Sequence, residues 1–392
     1  MPEAVTQIEG WRMAQDKLPS WATQEDILYP ARLAMEQCSS EVTARYKASL
    51  VEHSFSTKQE KNHLLRLTDL TGGLGVDCAF MSTVFDEVTY VERNPSLCAV
   101  ASANFETLGL SQIHPLCGDG TEVLRTLPRQ DWIVVDPARR GASGRKVVAL
   151  SDCEPDVVAL EPLLLEKADH VLVKCSPMLD ISLACEQLHS VREVHVVAVS
   201  NECKELLLVL GKDGPSCGMG EDQIVSCLEK CNDAAAGRET RKITCVQLPN
   251  GEPFVFTWKE ERNSVCTYGS VEHYLYEPGA SLLKAGCFRL PAVRFGLKKL
   301  HPNTHLYTSE DFVNGFPGRV FEVTSVGGFG KKNLKMLTCG MKKANITVRN
   351  FPESVEEVRH RLRLMDGGED YLFATTAERD EHLLICCRKV RK

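Results

Sequence analysis

The sequence predicts an α/β fold: a seven-stranded parallel sheet covered by helices on both faces, with an N-terminal helical segment and a small α+β C-terminal module. Three observations carry this expectation. Seven near-continuous apolar runs alternate with amphipathic stretches between residues 64 and 211, the texture of strands buried on both faces. The first run breaks into a glycine-rich turn, TGGLG at residues 71–75, of the kind that joins a strand to a helix. The charge then changes sign along the chain. Residues 281–392 hold 20 Lys+Arg against 12 Asp+Glu, or +8, which leaves 26 against 41, or −15, for residues 1–280. An acidic body carrying a basic appendage is the pattern this predicts.

Residues 1–60 read as helices, because TQEDILYPARLAMEQCSSEVTARYKASLVE sets apolar residues at helical spacing and Ser40 and Thr43 offer capping hydroxyls. The strand runs follow in order: LLRLTDLT, EVTYVER, IHPLCGD, WIVVDPA, HVLVKCS, EVHVVAVS and ELLLVLG. GKDGPSCGMGEDQ reads as a loop. KITCVQL and EPFVFTWK, split by the turn PNGEP, read as strands that finish or extend the sheet. From YEPGASLLKAG onward the elements shorten and Lys and Arg become frequent. Within residues 318–392, SVEEVRHRLRLM reads as a helix, and YLFATTAE and HLLICCRKV as a hairpin across AERDE.

At 43% hydrophobic and 25% charged, 392 residues suffice for two or three domains with cores of their own. No run of about 18 apolar residues points to a membrane span, and MPEAVTQIEGWRMAQDKLPSW is too polar for a signal peptide, so a cytoplasmic protein without membrane association is expected. The 17 cysteines include no CxxC pair, which predicts reduced core thiols and no metal.

The chemistry is concentrated at strand ends. Glu92 closes the second strand 17 residues after Gly75, where a carboxylate can accept both hydroxyls of a ribose. Asp119 follows the third strand and can accept from an adenine amino group. Successive strand ends share the carboxyl edge of such a sheet, so the expected ligand is an adenosine, held by the glycine turn, Glu92 and Asp119. A dinucleotide would call for GxGxxG, and this turn lacks the third glycine. Glycines that only permit a tight turn in an unrelated doubly wound fold are the alternative.

With Asp69 just before it, DLTGGLGVD resembles the first motif of class I S-adenosylmethionine-dependent methyltransferases, which implies a Rossmann-like class I methyltransferase sheet, S-adenosylmethionine as cofactor held by Asp69, Thr71, Gly73, Gly75, Glu92, Arg93, Asp119, Gly120 and Asp136, and Asp69 facing its methionine amino group. The fourth strand ends IVVDPARRG. In that resemblance this is the substrate-facing motif: Asp-Pro-Pro-Tyr/Phe in amino-methylating enzymes, Asp-Pro-Pro-Arg in uridine-5-methylating RNA enzymes. Asp136, Pro137 and Arg139 match, Ala138 replaces the second proline, and no aromatic residue follows to stack a flipped base. Cys175-Ser176-Pro177 is similar to the nucleophile motif of the uridine-5 enzymes, with Lys174 placed to lower the thiol pKa. A nitrogen target would use Asp136 and a carbon target Cys175; as the bland alternative, Cys175 only lines a pocket. Arg139, Arg140 and Arg145 either hold phosphates or pair with acidic neighbours.

Together QIEG, KLPSW, EQCSSEVTARYK, DLTGGLGVD, DPARRG, DCEPDV, SPMLD and YEPGASLLKAG resemble, across nearly the whole chain, a bacterial group of these methyltransferases with a ferredoxin-like insert and a C-terminal THUMP-like domain. The resemblance implies an N-terminal helical segment over residues 1–60, a methyltransferase domain over 61–270, a ferredoxin-like segment over 271–317 and a THUMP-like domain over 318–392. It also implies an RNA substrate, a tRNA or rRNA base. Lys331, Lys332, Lys335, Lys342, Lys343 and Arg349 are then candidates for phosphate contact, or a solvated face. Gln37, Ser39 or Ser40 are placed to reach the methionine carboxylate, and the serines alternatively cap helices. Methylation of a protein or small molecule, and a non-catalytic RNA-binding scaffold, are the rival functions.

Overall fold

Strands form at all seven apolar runs: β1 (Arg66–Asp69), β2 (Glu87–Glu92), β3 (Ile113–Cys117), β4 (Gln130–Val135), β5 (Ala168–Cys175), β6 (Val191–Val199) and β7 (Glu202–Gly211). The computed structural model describes residues 2–56, 63–139, 150–211 and 239–390. It divides into one unit of Met1–Val197 with Lys204–Arg241 and another of Ala198–Cys203 with Lys242–Lys392.

In the first unit the strand order is β6-β7-β5-β4-β1-β2-β3. β3, β2, β1, β4 and β5 are mutually parallel, and the order turns back between β1 and β4, the switch point at which open α/β sheets bind ligands. The expectation of a wholly parallel sheet needs correction, because β7 runs antiparallel to β5. The cause is local. Ser200 and Asn201, both at positive φ (51° and 61°), form a two-residue turn between β6 and β7, and so short a connection can only reverse the chain. Leu67, Val88, Tyr90, Ile133, Val171, Leu172 and Leu206 are fully buried in the sheet, on both of its faces.

Helices start where the turn chemistry allows. α1 (Pro2–Lys17), α2 (Arg32–Gln37) and α3 (Glu41–Ser56) make up the N-terminal segment. Asn104 ties it down, accepting from the Leu28 amide at 2.8 Å and donating to its carbonyl at 2.9 Å. After the strands come α4 (Val76–Met81), α5 (Pro95–Thr107), α6 (Gly120–Thr126), α7 (Val157–Lys167) and α8 (Ile181–Gln187). Four of these five are N-capped by Asx side chains, Asn94, Asp119, Asp156 and Asp180, which satisfy amides that the first turn leaves unpaired.

In the second unit, β8 (Lys242–Leu248) and β9 (Phe254–Thr257) pair as a hairpin across PNGEP. An eight-stranded sheet comprises β10 (Thr267–Tyr268), β11 (Tyr274–Pro278), β12 (Lys298–His301), β13 (Thr304–Ser309), β14 (Gly318–Gly328), β15 (Asn345–Arg349), β16 (Asp370–Thr376) and β17 (His382–Lys389), in the order β10-β12-β13-β11-β14-β17-β16-β15. The expected hairpin of β16 and β17 is present. The sheet is continuous across residues 317 and 318, since β11 pairs with β14, and Leu275, Leu306, Phe321, Phe373 and Ile385 share one core cluster. α9 (Lys331–Leu337) and α10 (Val355–Leu362) accompany this sheet; Ser354 and Glu357 close a capping box at the start of α10.

Candidate active site

The carboxyl ends of β1, β2, β3 and β4 surround a cavity of about 530 Å3. Its shape depends on glycines. Gly75, at φ 81°, precedes α4 in a left-handed conformation and leaves no room for a Cβ, which would lie 2.4 Å from the Phe105 ring. A Cβ on Gly120 would lie 2.2 Å from the Leu70 carbonyl oxygen, so the turn after β1 and the start of α6 meet backbone to backbone. The apolar neighbours of the turn, more than any ligand, dictate Gly75. Gly72 and Gly73 (φ 56°) are the turn's glycines that line the cavity, joined by Gly118 and Gly120 after β3.

Hydrogen bonds hold each strand end in place. Asp69 is 3% exposed and accepts from the Thr71 amide at 3.0 Å, and Thr71 in turn accepts from the Asp136 amide at 2.6 Å, tying β1 to β4. The Glu92 carboxylate takes the Gly73 amide at 2.9 Å and the Asn94 amide at 2.7 Å. The Tyr90 hydroxyl donates to the Gly73 carbonyl. Asp119 spends one oxygen on the cap of α6, and the Thr121 hydroxyl and amide hold its pKa below the usual carboxylate value. Arg93 extends to Glu154 at 2.8 Å.

A charge network that the sequence did not reveal lies behind Asp136. Lys174 Nζ is 2.5 Å from Asp136 Oδ2 and 3.5 Å from Asp77 Oδ2. Lys47 Nζ is 3.1 Å from Asp77 Oδ1, 2.5 Å from Glu205 Oε2 and 3.1 Å from Ser39 Oγ, and Ser39 donates to Asp77 Oδ2 at 2.7 Å. Lys47 is fully buried, in line with Ala44 and Val51 on the apolar stripe of α3. Two cations therefore face three carboxylates in a chain from β7 to β4, and the surplus negative charge lies on the cavity side.

The electrostatics follow from this arrangement. Burial pushes the Asp69 carboxyl up to about 7; the Thr71 amide opposes, and Asp77 and Asp136 reinforce. Burial would depress Lys174, yet Asp136, Asp77 and Glu205 outweigh it and hold the ammonium well above its ordinary value. Asp77 is lowered despite burial by Lys47 and Lys174. Around the cavity, Asp69, Asp77, Glu92, Asp119, Asp136, Glu154 and Asp156 face only Arg93 and Lys174 among the described residues. Such a site favours a cationic ligand.

Gln37 and Ser39 line the cavity, whereas Ser40 bonds Thr43 at the start of α3. Pro137 is buried. Cys175 is 5% exposed and is not among the cavity's lining residues; burial, then Asp136, push its thiol well above the ordinary value, with Lys174 a lesser opposing influence. Neighbouring strand residues point to opposite faces, which is why Lys174 reaches the cavity and Cys175 does not. The Arg139 side chain, Arg140 and Arg145 lie outside the described residues. Lys331, Lys332, Lys335, Lys342 and Lys343 are exposed, within and just after α9. Arg349 instead pairs with the buried Glu277 at 2.9 Å, beside Arg319 at 2.6 Å. No group of metal-ligating side chains and no helix long and apolar enough to cross a membrane occurs among the described residues.

A family described as a ferredoxin-like domain matches residues 274–317, and one described as THUMP domain-like matches residues 318–389. A crystal structure from Porphyromonas gingivalis W83, of a protein assigned as a methyltransferase, is 36% identical and covers 98% of this chain and 90% of that one, with a TM-score of 0.84. Two further solved structures align over 43% of the chain. They are a SAM-dependent methyltransferase from Agrobacterium tumefaciens (18% identical, 61% of that chain, TM-score 0.31) and an rRNA methylase from Streptococcus thermophilus (12% identical, 94% of that chain, TM-score 0.31). No protein of curated function matches the chain at a significant level. More than one-third identical over nearly its whole length to the Porphyromonas gingivalis protein, and carrying both C-terminal domains, the chain belongs to the bacterial group of class I S-adenosylmethionine-dependent methyltransferases with ferredoxin-like and THUMP-like domains.

Proposed function

We propose that this methyltransferase binds S-adenosylmethionine in the strand-edge cavity and methylates an amino nitrogen of an RNA base. The observation that carries the reading is the acidic cavity itself, with four carboxylates, Asp69, Glu92, Asp119 and Asp136, at four strand ends around about 530 Å3, a volume in the range of small-molecule sites. Its charge fits a ligand that bears an ammonium and a sulfonium. Glu92 is the residue for the ribose hydroxyls, Asp119 for the adenine end, Asp69 for the ammonium, and Gln37 and Ser39 for the carboxylate. When bound, the cofactor supplies a sulfonium methyl: a nitrogen–carbon bond forms, the sulfur–carbon bond breaks with its electrons left on a neutral thioether, and the nitrogen sheds a proton.

The chain's own residues align the nucleophile and accept its hydrogen bond. Asp136 is the acceptor at the mouth, its side chain 43% exposed, so the released proton can pass to solvent beside it. Carbon-5 chemistry on uracil is disfavoured, because it needs a thiolate and Cys175 is a buried thiol outside the cavity. The exposed lysines of residues 331–343 and the +8 balance of residues 281–392 support an RNA as the substrate. The test is transfer of a labelled methyl group to total RNA from a strain lacking the protein. Label on RNA supports the reading, and label on protein in the same extract instead would replace it.

A further inference from the structure

We propose that Lys174 is a positioning residue: it fixes the Asp136 carboxylate through Oδ2, so that Oδ1 alone is offered to the substrate. The inference rests on the methyltransferase reading above and adds a residue to it. Asp136 follows β4 directly, and its carboxylate accepts no hydrogen bond from a backbone amide among the described residues. The Lys174 ammonium at 2.5 Å supplies that restraint, and Oδ1 has no partner among the described residues. Lys174 is itself held: 13% exposed, it lies 3.5 Å from Asp77, whose other oxygen is 3.1 Å from the buried Lys47. Lys47 is anchored by Glu205 and Ser39.

The geometry also bears on what Lys174 does not do. A lysine on the wall of a cofactor cavity is the obvious counter-ion for the cofactor's carboxylate. Here its ammonium already has two carboxylates of the protein, and recruiting it would leave Asp136 and Asp77 facing each other with no cation between them. Removing Lys174 therefore should disorder the acceptor while leaving cofactor affinity almost untouched.

The experiment compares wild type with Lys174→Met, Lys174→Arg, Asp136→Asn and the double variant Lys174→Met/Asp136→Asn in the full chain. S-adenosylmethionine affinity is read by calorimetry and methyl transfer to the RNA of the deletion strain by kcat and KM, with melting temperatures as a check on folding. Lys174→Met should lower kcat about a hundredfold, the scale of a misplaced reacting group. Its cofactor Kd should stay within about threefold of wild type, as for a group that does not touch the ligand. The double variant should be no slower than Asp136→Asn alone, and Lys174→Arg, which keeps the charge and the fold if Met does not, should recover part of the rate. A loss of cofactor affinity of about tenfold or more would make Lys174 a cofactor ligand and overturn the proposal, as would single effects that multiply in the double variant. A wild type that labels no RNA removes the parent reading, an outcome told apart because it appears before any variant is compared.

Discussion

The amide of Gly73 donates to the Glu92 carboxylate at 2.9 Å, so one side chain both closes β2 and shapes the glycine turn that follows β1. The glycines and the acidic residue that the sequence sets 17 to 19 positions apart are one structure. Glu92→Ala should weaken S-adenosylmethionine binding by about 1–3 kcal/mol, the scale of hydrogen bonds to a charged group. Calorimetry on the folded variant checks this, and an unchanged affinity would take Glu92 out of the ribose site.

Gly120, after β3, meets the Leu70 carbonyl that follows β1, where a Cβ would lie 2.2 Å from the oxygen. Backbone cannot move aside as a side chain can. Gly120→Ala should cost about 1–3 kcal/mol by overpacking, seen as a lower denaturant midpoint with the slope unchanged.

Asp69 makes stability pH-dependent. Its carboxyl sits at about 7 in the folded protein against 3.8 ordinarily, so between those values the folded state keeps a proton that the unfolded chain has released. The contribution is fully present in acid and is lost as pH rises through about 7. Asp69→Asn keeps an oxygen for the Thr71 amide and abolishes the titration. Melting temperatures of the two proteins should diverge in the variant's favour from about pH 4 to about pH 7 and keep a constant separation above that; parallel curves over that range would mean that Asp69 titrates normally.

Lys331, Lys332, Lys335, Lys342 and Lys343 lie within 13 residues of chain and are all exposed. Replacing three of them by Glu should weaken RNA binding for every sequence alike. Each lost phosphate contact should flatten the salt dependence of binding by roughly 0.7 to 0.9 in log–log slope. Retention of the wild-type slope would assign these lysines to a solvated face. Point changes are the suitable tool, because cutting the chain at residue 317 would strip β14 from β11 and open the Leu275–Phe321 core.

The sequence made the strands legible because each is a run of apolar residues, and made Asp69, Glu92, Asp119 and Asp136 legible because each closes such a run. The direction of β7 was not, since periodicity is blind to it and a buried antiparallel strand has the same texture as a parallel one. Lys47, Asp77 and Glu205 were missed for another reason: they are brought together from positions up to 158 residues apart. One sign was available. Lys47 occupies the stripe of Ala44 and Val51, where a charged residue has no place unless it is paired. Arg349 shows the converse, a basic residue read as an RNA contact that is held by the buried Glu277.

Whether the strand-edge cavity is an S-adenosylmethionine site is read most directly by titration calorimetry of the full chain with S-adenosylmethionine, with NAD as control, on wild type and Glu92→Ala. Wild type should show one site for S-adenosylmethionine with a Kd on the order of micromolar, weakened in the variant, and no heat from NAD. Absence of binding to S-adenosylmethionine, or an equal response to NAD, would contradict that assignment.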